Sequence, residues 1–266
     1  MYKYAISISM LWLSLSLIAV EAKELILAAS TSTKSSGLLD KLIPEFEELS
    51  GYRIKLHSVG SGKALRMGSK GKVDVLIVHA PEAEKKFIEQ KHGVLRKPMM
   101  KNDFIIVGPK NDPARLRGLS DVKQAFINIK NNRSQFISRA DDSGTHKKEM
   151  SIWDACEIEP YGDWYYELGA GTVQTLRMAN SQQGYMMIDR GTWLVSRSTV
   201  NLMLFIEKDP ILENPYHIIA INPERHEKAD YQGAKKFIKW VTGERGQEII
   251  NQLKVDGEQL FTVVKN

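Results

Sequence analysis

The sequence lacks the covalent cross-links and lipid attachment sites on which many exported proteins depend. Its single cysteine among 266 residues, Cys156, excludes an internal disulfide. Because Cys156 lies far from the N-terminus, it also excludes an N-terminal lipoprotein anchor. We therefore expect an ordinary hydrophobic core, for which 42% hydrophobic residues are ample material.

Long apolar runs are absent after the first twenty or so residues. The stretch Ala5–Val20 carries no charge, follows Lys3, and is short for a membrane span. Small residues at Val20 and Ala22 suit a signal peptidase, so residues 1–22 are predicted to be a signal peptide cleaved before Lys23. The alternative is an uncleaved anchor. Cleavage would leave an exported, soluble protein.

Motifs for catalysis, metal binding and nucleic-acid binding are also missing. The chain has no Gly-x-Ser-x-Gly elbow, no His-Glu-x-x-His pair and no cysteine cluster. Asp142, Ser143 and His146 are too close together on one turn to form a catalytic triad. Despite a net charge of +5, Lys and Arg are dispersed among acidic residues. We therefore expect no enzyme activity, no cofactor, no resident metal cation and no nucleic-acid partner.

Short apolar runs alternate with helical patterns along the rest of the chain. This order predicts βα units, hence an α/β fold with a largely parallel sheet. Residues 109–113, Pro-Lys-Asn-Asp-Pro, are rich in residues that end helices and strands, and we take them as one crossing between lobes. We expect the second crossing near residues 218–223. The predicted lobes are 23–108 plus 223–266, and 109–222. Ligands bind in the cleft that such an arrangement creates.

The most informative segment is the turn from Arg139 to His146. A short strand at 135–138 precedes it and a helix from Thr145 to Trp153 follows, so unpaired amides and the positive helix end point at one place. Arg139 can add paired, charge-assisted hydrogen bonds. Ser143 acting only as a helix cap is the alternative, but capping does not explain Arg139 or Gly144. We favour binding of a small oxyanion by Arg139, Ser143, Gly144 and Thr145.

Two loops in the first lobe offer further hydrogen-bond donors. Four hydroxyl residues, Ser30 to Thr33, follow the first strand, where a helix cap needs only one. Gly60-Ser61-Gly62-Lys63 follows the second strand, and its glycines allow close approach to a ligand while Ser61 donates. It is not a nucleotide phosphate loop, because His57 and Ala64 break that pattern.

Two loops in the second lobe are weaker candidates. Gly171 and Thr172 open a helix and supply amides. Arg190 follows a strand, but it has an alternative role in a surface ion pair with Asp189.

Several segments together resemble the tungstate-binding proteins of bacterial ABC importers. The matching residues are 27–40, 59–65, 73–84, 102–109, 138–149 and 189–192, which extend over essentially the whole mature chain. The resemblance implies a two-lobed periplasmic binding protein fold of type II, each lobe a central, mainly parallel sheet flanked by helices, with two crossing segments. It also implies a periplasmic monomer that delivers tungstate to an inner-membrane permease and its ATPase. The implied ligand contacts are Ser30, Thr31, Ser61, Arg139, Ser143, Gly144 and Thr145, with Gly171, Thr172 and Arg190 as further candidates.

Whether the bound anion, which we call the guest, carries a proton determines which hydrogen-bonding groups its site should contain. Tungstate, molybdate and sulfate carry no proton at neutral pH, so their sites should contain donors only, whereas phosphate also needs an acceptor. We therefore predict that Asp141 and Asp142 point away from the guest, toward helix capping or Arg139. Molybdate, then sulfate or phosphate, are the alternative ligands. A hydrolase using Ser143 and an exported interaction domain are the alternative functions.

Overall fold

The computed structural model describes residues 22–264. The predicted signal peptide, residues 1–22, therefore lies outside the described residues apart from Ala22, and its cleavage stays a prediction. Within this described part, no helix has the length and apolar character needed to cross a bilayer.

Strands occur where the apolar runs predict them, but those at 165–167, 202–206, 213–221 and near the C-terminus were not predicted. The strand at 213–221 includes most of the segment 218–223 that was predicted to be a crossing. They are β1 (Lys23–Ala29), β2 (Tyr52–Ser58), β3 (Val75–Val78), β4 (Gly93–Pro109), β5 (Phe136–Ser138), β6 (Tyr165–Glu167), β7 (Met186–Asp189), β8 (Leu202–Ile206), β9 (Glu213–Ile221), β10 (Lys254–Val255), β11 (Glu258–Gln259) and β12 (Thr262–Val263).

Helices fill most of the segments between these strands. They are α1 (Thr31–Ser35), α2 (Leu38–Ser50), α3 (Ser61–Ser69), α4 (Pro81–Glu89), α5 (Val122–Asn131), α6 (Gly144–Ala155), α7 (Thr172–Gln182), α8 (Arg190–Ser196), α9 (Tyr231–Val241) and α10 (Glu244–Gln252). Apolar spacing explains α2, where Leu38, Leu42 and Phe46 share the buried face. That helix ends at Gly51, whose φ of 73° is a left-handed cap that favours glycine.

The main sheet is mixed, which corrects one part of the prediction. Its order is β12, β4, β9, β3, β1, β2, with β7 and β8 added along β4. The α/β class is confirmed, and β1 pairs in parallel with β2 and β3 as βα units require. However, β4 pairs antiparallel with β7, β8, β9 and β12, and β3 pairs antiparallel with β9. The main sheet is therefore not mainly parallel, because β4 and β9 run through it in opposite directions, whereas β5 and β6 form a separate parallel pair.

Strand β4 joins the two parts of the molecule. Its residues 93–103 pair with β9, whereas residues 104–109 pair with β7 and β8. We call the elements β1–β3, β9, β12, α1–α4, α9 and α10 lobe 1, and β5–β8 with α5–α8 lobe 2. The lobe boundaries drawn from the sequence remain a prediction. Strand pairing favours an earlier changeover, between Asp103 and Phe104 on the way out and within 207–212 on the return.

The hydrophobic core follows this division. One cluster fills the space between the lobe 1 sheet and α2, α9 and α10, and continues along β4 into lobe 2. A second lies on the other face of the lobe 1 sheet, against α3 and α4. The third is the aromatic core of lobe 2, in which Trp153 packs against Phe126, Phe136 and Trp164 with ring centroids 4.2 to 5.6 Å apart.

A buried carboxylate lies in this aromatic core. Glu149 on α6 is 1% exposed and accepts hydrogen bonds from the Tyr165 hydroxyl at 2.7 Å, Ser138 Oγ at 3.0 Å and Trp153 Nε1 at 3.3 Å. Burial raises the pKa of Glu149 to about 7, because removal from water disfavours its charged form. Ser138 Oγ also accepts the Ala140 amide at 3.2 Å, so Glu149 supports the turn that follows β5.

We predict that Glu149→Gln removes a pH-dependent part of the stability. Since the folded pKa is raised, this group stabilises the fold below its ordinary pKa and loses that contribution as pH rises to about 7. Between pH 5 and 8 the unfolding free energy of the wild type should fall relative to the variant by about 2 to 3 kcal/mol. Urea titrations across this range measure the difference. The exposed control Glu159→Gln should track the wild type, and a pH-independent gap for Glu149→Gln would contradict the assignment.

Candidate oxyanion-binding site

Four helices begin at the place where the lobes meet. Ser30 caps α1 and Gly60 caps α3 in lobe 1, while Ser143 caps α6 and Gly171 caps α7 in lobe 2. Each helix start follows a strand or an extended loop. The amides and positive dipole ends of these helices therefore raise the electrostatic potential of one small region.

Arg139 stands at the centre of this region. It is 1% exposed, and all five of its N–H groups have partners. Nε donates to Ala170 O at 3.5 Å, Nη1 to Thr145 Oγ1 at 3.2 Å and Thr172 Oγ1 at 2.7 Å, and Nη2 to Thr31 Oγ1 at 3.3 Å and Asp141 Oδ2 at 2.5 Å. The bond to Thr31 crosses from lobe 2 to lobe 1. One guanidinium thus connects three of the five predicted loops.

The serine-threonine loop of lobe 1 contributes Ser30 and Thr31. Ser30 Oγ accepts the Thr33 amide at 3.3 Å and lies 2.6 Å from Thr33 Oγ1, so Ser30 performs the capping role that the sequence offered as the alternative. The Ser30 amide is committed to Ile77 O at 3.0 Å. Thr31, half-buried, faces Arg139. The loop therefore offers hydroxyl groups to the site, not the Ser30 amide.

The glycine loop of lobe 1 touches the Arg139 turn of lobe 2 directly. Gly62 N donates to Asp142 O at 3.2 Å, and a Cβ at Gly62 would lie 2.4 Å from that oxygen. A Cβ at Gly60 would lie 3.3 Å from Ser143 Cα. Close approach of the lobes therefore requires glycine at position 62, whereas a Cβ at position 60 would make only a tight contact. Ser61 Oγ, fully buried, accepts the His79 amide at 3.3 Å.

Ser143, Gly144 and Thr145 begin α6. Ser143 Oγ accepts the His146 amide at 3.2 Å, and Thr145 Oγ1 accepts from Arg139. Gly144 faces lobe 1, where a Cβ would lie 2.5 Å from His79 O. The His146 ring accepts the Asp142 amide at Nδ1, 3.2 Å away, so this imidazole serves the turn and not the Ser143 hydroxyl.

The two adjacent carboxylates have different partners. Asp141 turns to Arg139, one of the two directions predicted, and its other oxygen accepts the Ser143 amide at 3.2 Å. It therefore does not point away from the candidate site, because both of its partners are donors of that site. Asp142 instead pairs with Lys147 on the following helix α6 and with Arg66 of lobe 1. Partial burial works to raise the pKa of Asp142, but hydrogen bonds and positive charge from Lys147 and Arg66 outweigh it and hold that pKa below its ordinary value. The sequence did not indicate this ion pair between lobes.

Gly171 and Thr172 lie with the other candidates. Thr172 is buried, and of the uncharged groups that accept from Arg139 it makes the shortest hydrogen bond. Gly171 forms the start of α7 beside it. The structure thus brings nine of the ten predicted contact residues to one region: Ser30, Thr31, Ser61, Arg139, Ser143, Gly144, Thr145, Gly171 and Thr172.

Arg190 is the exception. Its guanidinium donates to both oxygens of Asp103, at 2.5 and 2.7 Å, and to Glu207 at 2.6 Å, and these acidic partners raise its pKa further. Asp189 pairs with Phe104 in the β4–β7 ladder, which places Arg190 beside Asp103 at the changeover of β4. Arg190 lines a separate cavity of about 460 Å³ there. The suggested partner Asp189 instead caps α8 through Thr192.

A buried polar network behind the first loop was missed by the sequence reasoning. His79 Nδ1 lies 2.9 Å from Asn214 Oδ1, His79 Nε2 lies 3.3 Å from Ser32 Oγ, and Tyr216 OH lies 3.3 Å from the same Ser32 oxygen. Burial lowers the pKa of His79, so its neutral form donates from Nδ1 and accepts at Nε2. The sequence signal that could have indicated this network is His79, which directly follows the apolar run at residues 73–78.

Comparisons with known proteins identify the family of this chain. The PBP superfamily domain model matches residues 19–245. The tungstate-binding protein TupA of Peptoclostridium acidaminophilum is 43% identical over 242 residues, which cover 90% of this chain and 85% of that protein. The structure of the tungstate ABC transporter from Geobacter sulfurreducens aligns with a TM-score of 0.78 at 40% identity, covering 85% of this chain and 97% of that one.

A second solved structure extends the match. The tungstate-binding protein TupA from Desulfovibrio alaskensis G20 aligns with a TM-score of 0.76 at 39% identity, covering 92% of this chain and all of that one. By their names, two of these relatives bind tungstate and the third is a tungstate ABC transporter. The chain therefore belongs to the PBP superfamily and, within it, to the family of the tungstate-binding proteins.

Proposed function

We propose that this protein captures tungstate between its two lobes and delivers it to an inner-membrane ABC permease and its ATPase. The observation that carries the proposal is Arg139, a buried guanidinium at the meeting point of four helix starts, bonded to hydroxyls of both lobes. The family membership, together with the predicted signal peptide, supports a periplasmic location. We further propose that the protein is a monomer and that it catalyses no reaction.

The hydroxyl groups around Arg139 suit a guest without protons. Thr31, Thr145 and Thr172 each accept a hydrogen bond from the guanidinium, which leaves their own hydrogens free to donate to a guest. Tungstate, molybdate and sulfate can use such donors fully. Each charge-assisted hydrogen bond contributes about 1.5 to 3 kcal/mol, so several together offset the dehydration of a dianion.

We propose that the nine clustered residues named above supply the contacts, with Arg190 assigned to the junction at β4. Ser30, Thr31 and Ser61 belong to lobe 1, and the others to lobe 2. Since neither set surrounds the guest alone, binding shifts the lobes toward the closed arrangement. The permease then recognises that closed shape.

Calorimetry of the purified protein tests the ligand. Tungstate should bind more tightly than sulfate and phosphate, with molybdate as the alternative high-affinity guest. Binding of phosphate alone would contradict the proposal, because phosphate needs an acceptor as well as donors.

We predict that Arg139→Ala weakens tungstate binding by at least about 3 kcal/mol, which is more than 100-fold. The variant loses the guanidinium and, with it, the group that orients the threonine hydroxyls. Calorimetry measures the change, and circular dichroism confirms that the variant is folded. Arg133→Ala is the matched control, because Arg133 forms an exposed ion pair with Asp163. Unchanged affinity in Arg139→Ala would remove Arg139 from the site.

We predict that Gly62→Ala impairs closure with little loss of stability. The new Cβ would lie 2.4 Å from the backbone oxygen of Asp142 across the interface, so the lobes cannot approach as closely. Tungstate affinity should fall by about tenfold or more, while the melting temperature without ligand changes by no more than a few degrees. The exposed control on the same segment, Lys70→Ala, should bind normally. Normal affinity of Gly62→Ala would show that this contact does not form when the guest is bound.

A further inference from the structure

Among residues 22–264, Asp141 is the one carboxylate that accepts a hydrogen bond from Arg139. One carboxylate oxygen accepts from Arg139 Nη2, and the other accepts the Ser143 amide. These are one guanidinium donor and one helix N-terminal amide, which are the two kinds of donor that an oxyanion would use here. A side-chain carboxylate therefore occupies donors that the guest requires.

The backbone holds Asp141 in this position. Ala140 and Asp142, on either side, both have positive φ values, 46° and 58°, which non-glycine residues adopt only at some cost. Asp142 is fixed by Arg66 and Lys147, and the Ala140 amide by Ser138 Oγ. The Asp141 side chain itself is 17% exposed. The turn is thus built to fold this carboxylate back onto Arg139.

Asp141 has one effect before the anion binds and another once it has bound. A buried guanidinium needs a negative partner at every stage of a binding cycle, and Asp141 provides one before a guest enters. Once a guest enters, the same carboxylate competes for the donors and repels negative charge. Because Coulomb repulsion is proportional to the charge of the guest, a dianion is penalised twice as much as a monoanion.

We propose that Asp141 is an internal anion that competes with the guest for Arg139 and the Ser143 amide, and so limits affinity for dianions more than for monoanions. The proposal rests on the proposed function, since it concerns the same site. A competitor of this kind lowers the affinity below what the donors alone would give and so favours release of the guest to the transporter.

The experiment compares Asp141→Asn with the wild type, using two tetrahedral oxyanions of similar size, tungstate with two charges and perrhenate with one. The neutral amide should tighten tungstate binding by about tenfold and perrhenate binding by about threefold, since half the repulsion energy corresponds to the square root of the factor. Without ligand, the variant should melt at a lower temperature, because Arg139 loses its counter-charge. Tungstate should then raise its melting temperature more than it raises that of the wild type.

Two further variants complete the design. Asp163→Asn removes the same charge from an exposed ion pair and should bind both anions as the wild type does. Asp141→Glu keeps the charge and should not tighten tungstate binding. If Asp141→Asn does not fold, Asp141→Glu still tests the proposal. Tighter tungstate binding by this charged variant would overturn it.

Weaker or unchanged tungstate binding by Asp141→Asn would overturn the proposal and make Asp141 a positioning residue for Arg139. Equal gains for tungstate and perrhenate would also overturn it, because charge would then not matter. If the wild type binds no oxyanion at all, the proposed function fails and the inference with it. Binding by the wild type without gain in the variant removes the inference alone.

Discussion

The burial of the Arg139 guanidinium is the constraint on which the rest of the site depends. A positive charge removed from water is costly unless its N–H groups are bonded and its charge is balanced. In the described part of the chain all five N–H groups are bonded and one carboxylate, Asp141, accepts from the guanidinium, while four helix starts add positive potential around it. The region therefore retains a surplus of positive charge and of donors. A small anion is the kind of guest that this surplus stabilises.

Contact between the lobes depends on features far from the guanidinium. Strand β4 belongs to both lobes and changes partners at Asp103, so relative motion of the lobes must be absorbed near that residue. Arg190 ties Asp103 to Glu207 at this point, which joins the outgoing and returning segments. At the opposite side, Gly62 and the Arg66–Asp142 pair hold the surfaces together. Because both charges of that pair are partly exposed, it contributes modestly, and backbone fit matters more.

Local sequence signals predicted most of this arrangement, and non-local pairing explains what they missed. Strand-to-helix turns at Ser30, Gly60, Ser143 and Gly171 follow from apolar periodicity and turn chemistry, which act within a few residues. The antiparallel pairing of β4 and β9 depends on residues more than a hundred positions apart, which no local pattern records. For the same reason the sequence did not indicate the position of the changeover within β4.

Individual side chains also show the difference between what local sequence predicts and what non-local pairing determines. The partner of Arg190 was sought at its neighbour Asp189, whereas the sheet brings Asp103 to it. His79 and Asn214 meet because β3 and β9 are adjacent, and their contact keeps Ser32 of the first loop in a fixed hydrogen-bond pattern. Hydroxyl groups can donate or accept, so a serine-threonine loop by itself does not define a site made of donors. The loop becomes a donor site when neighbouring groups of the fold already occupy the acceptor positions of its hydroxyls. That occupation depends on the folded hydrogen-bond network and not on the loop sequence.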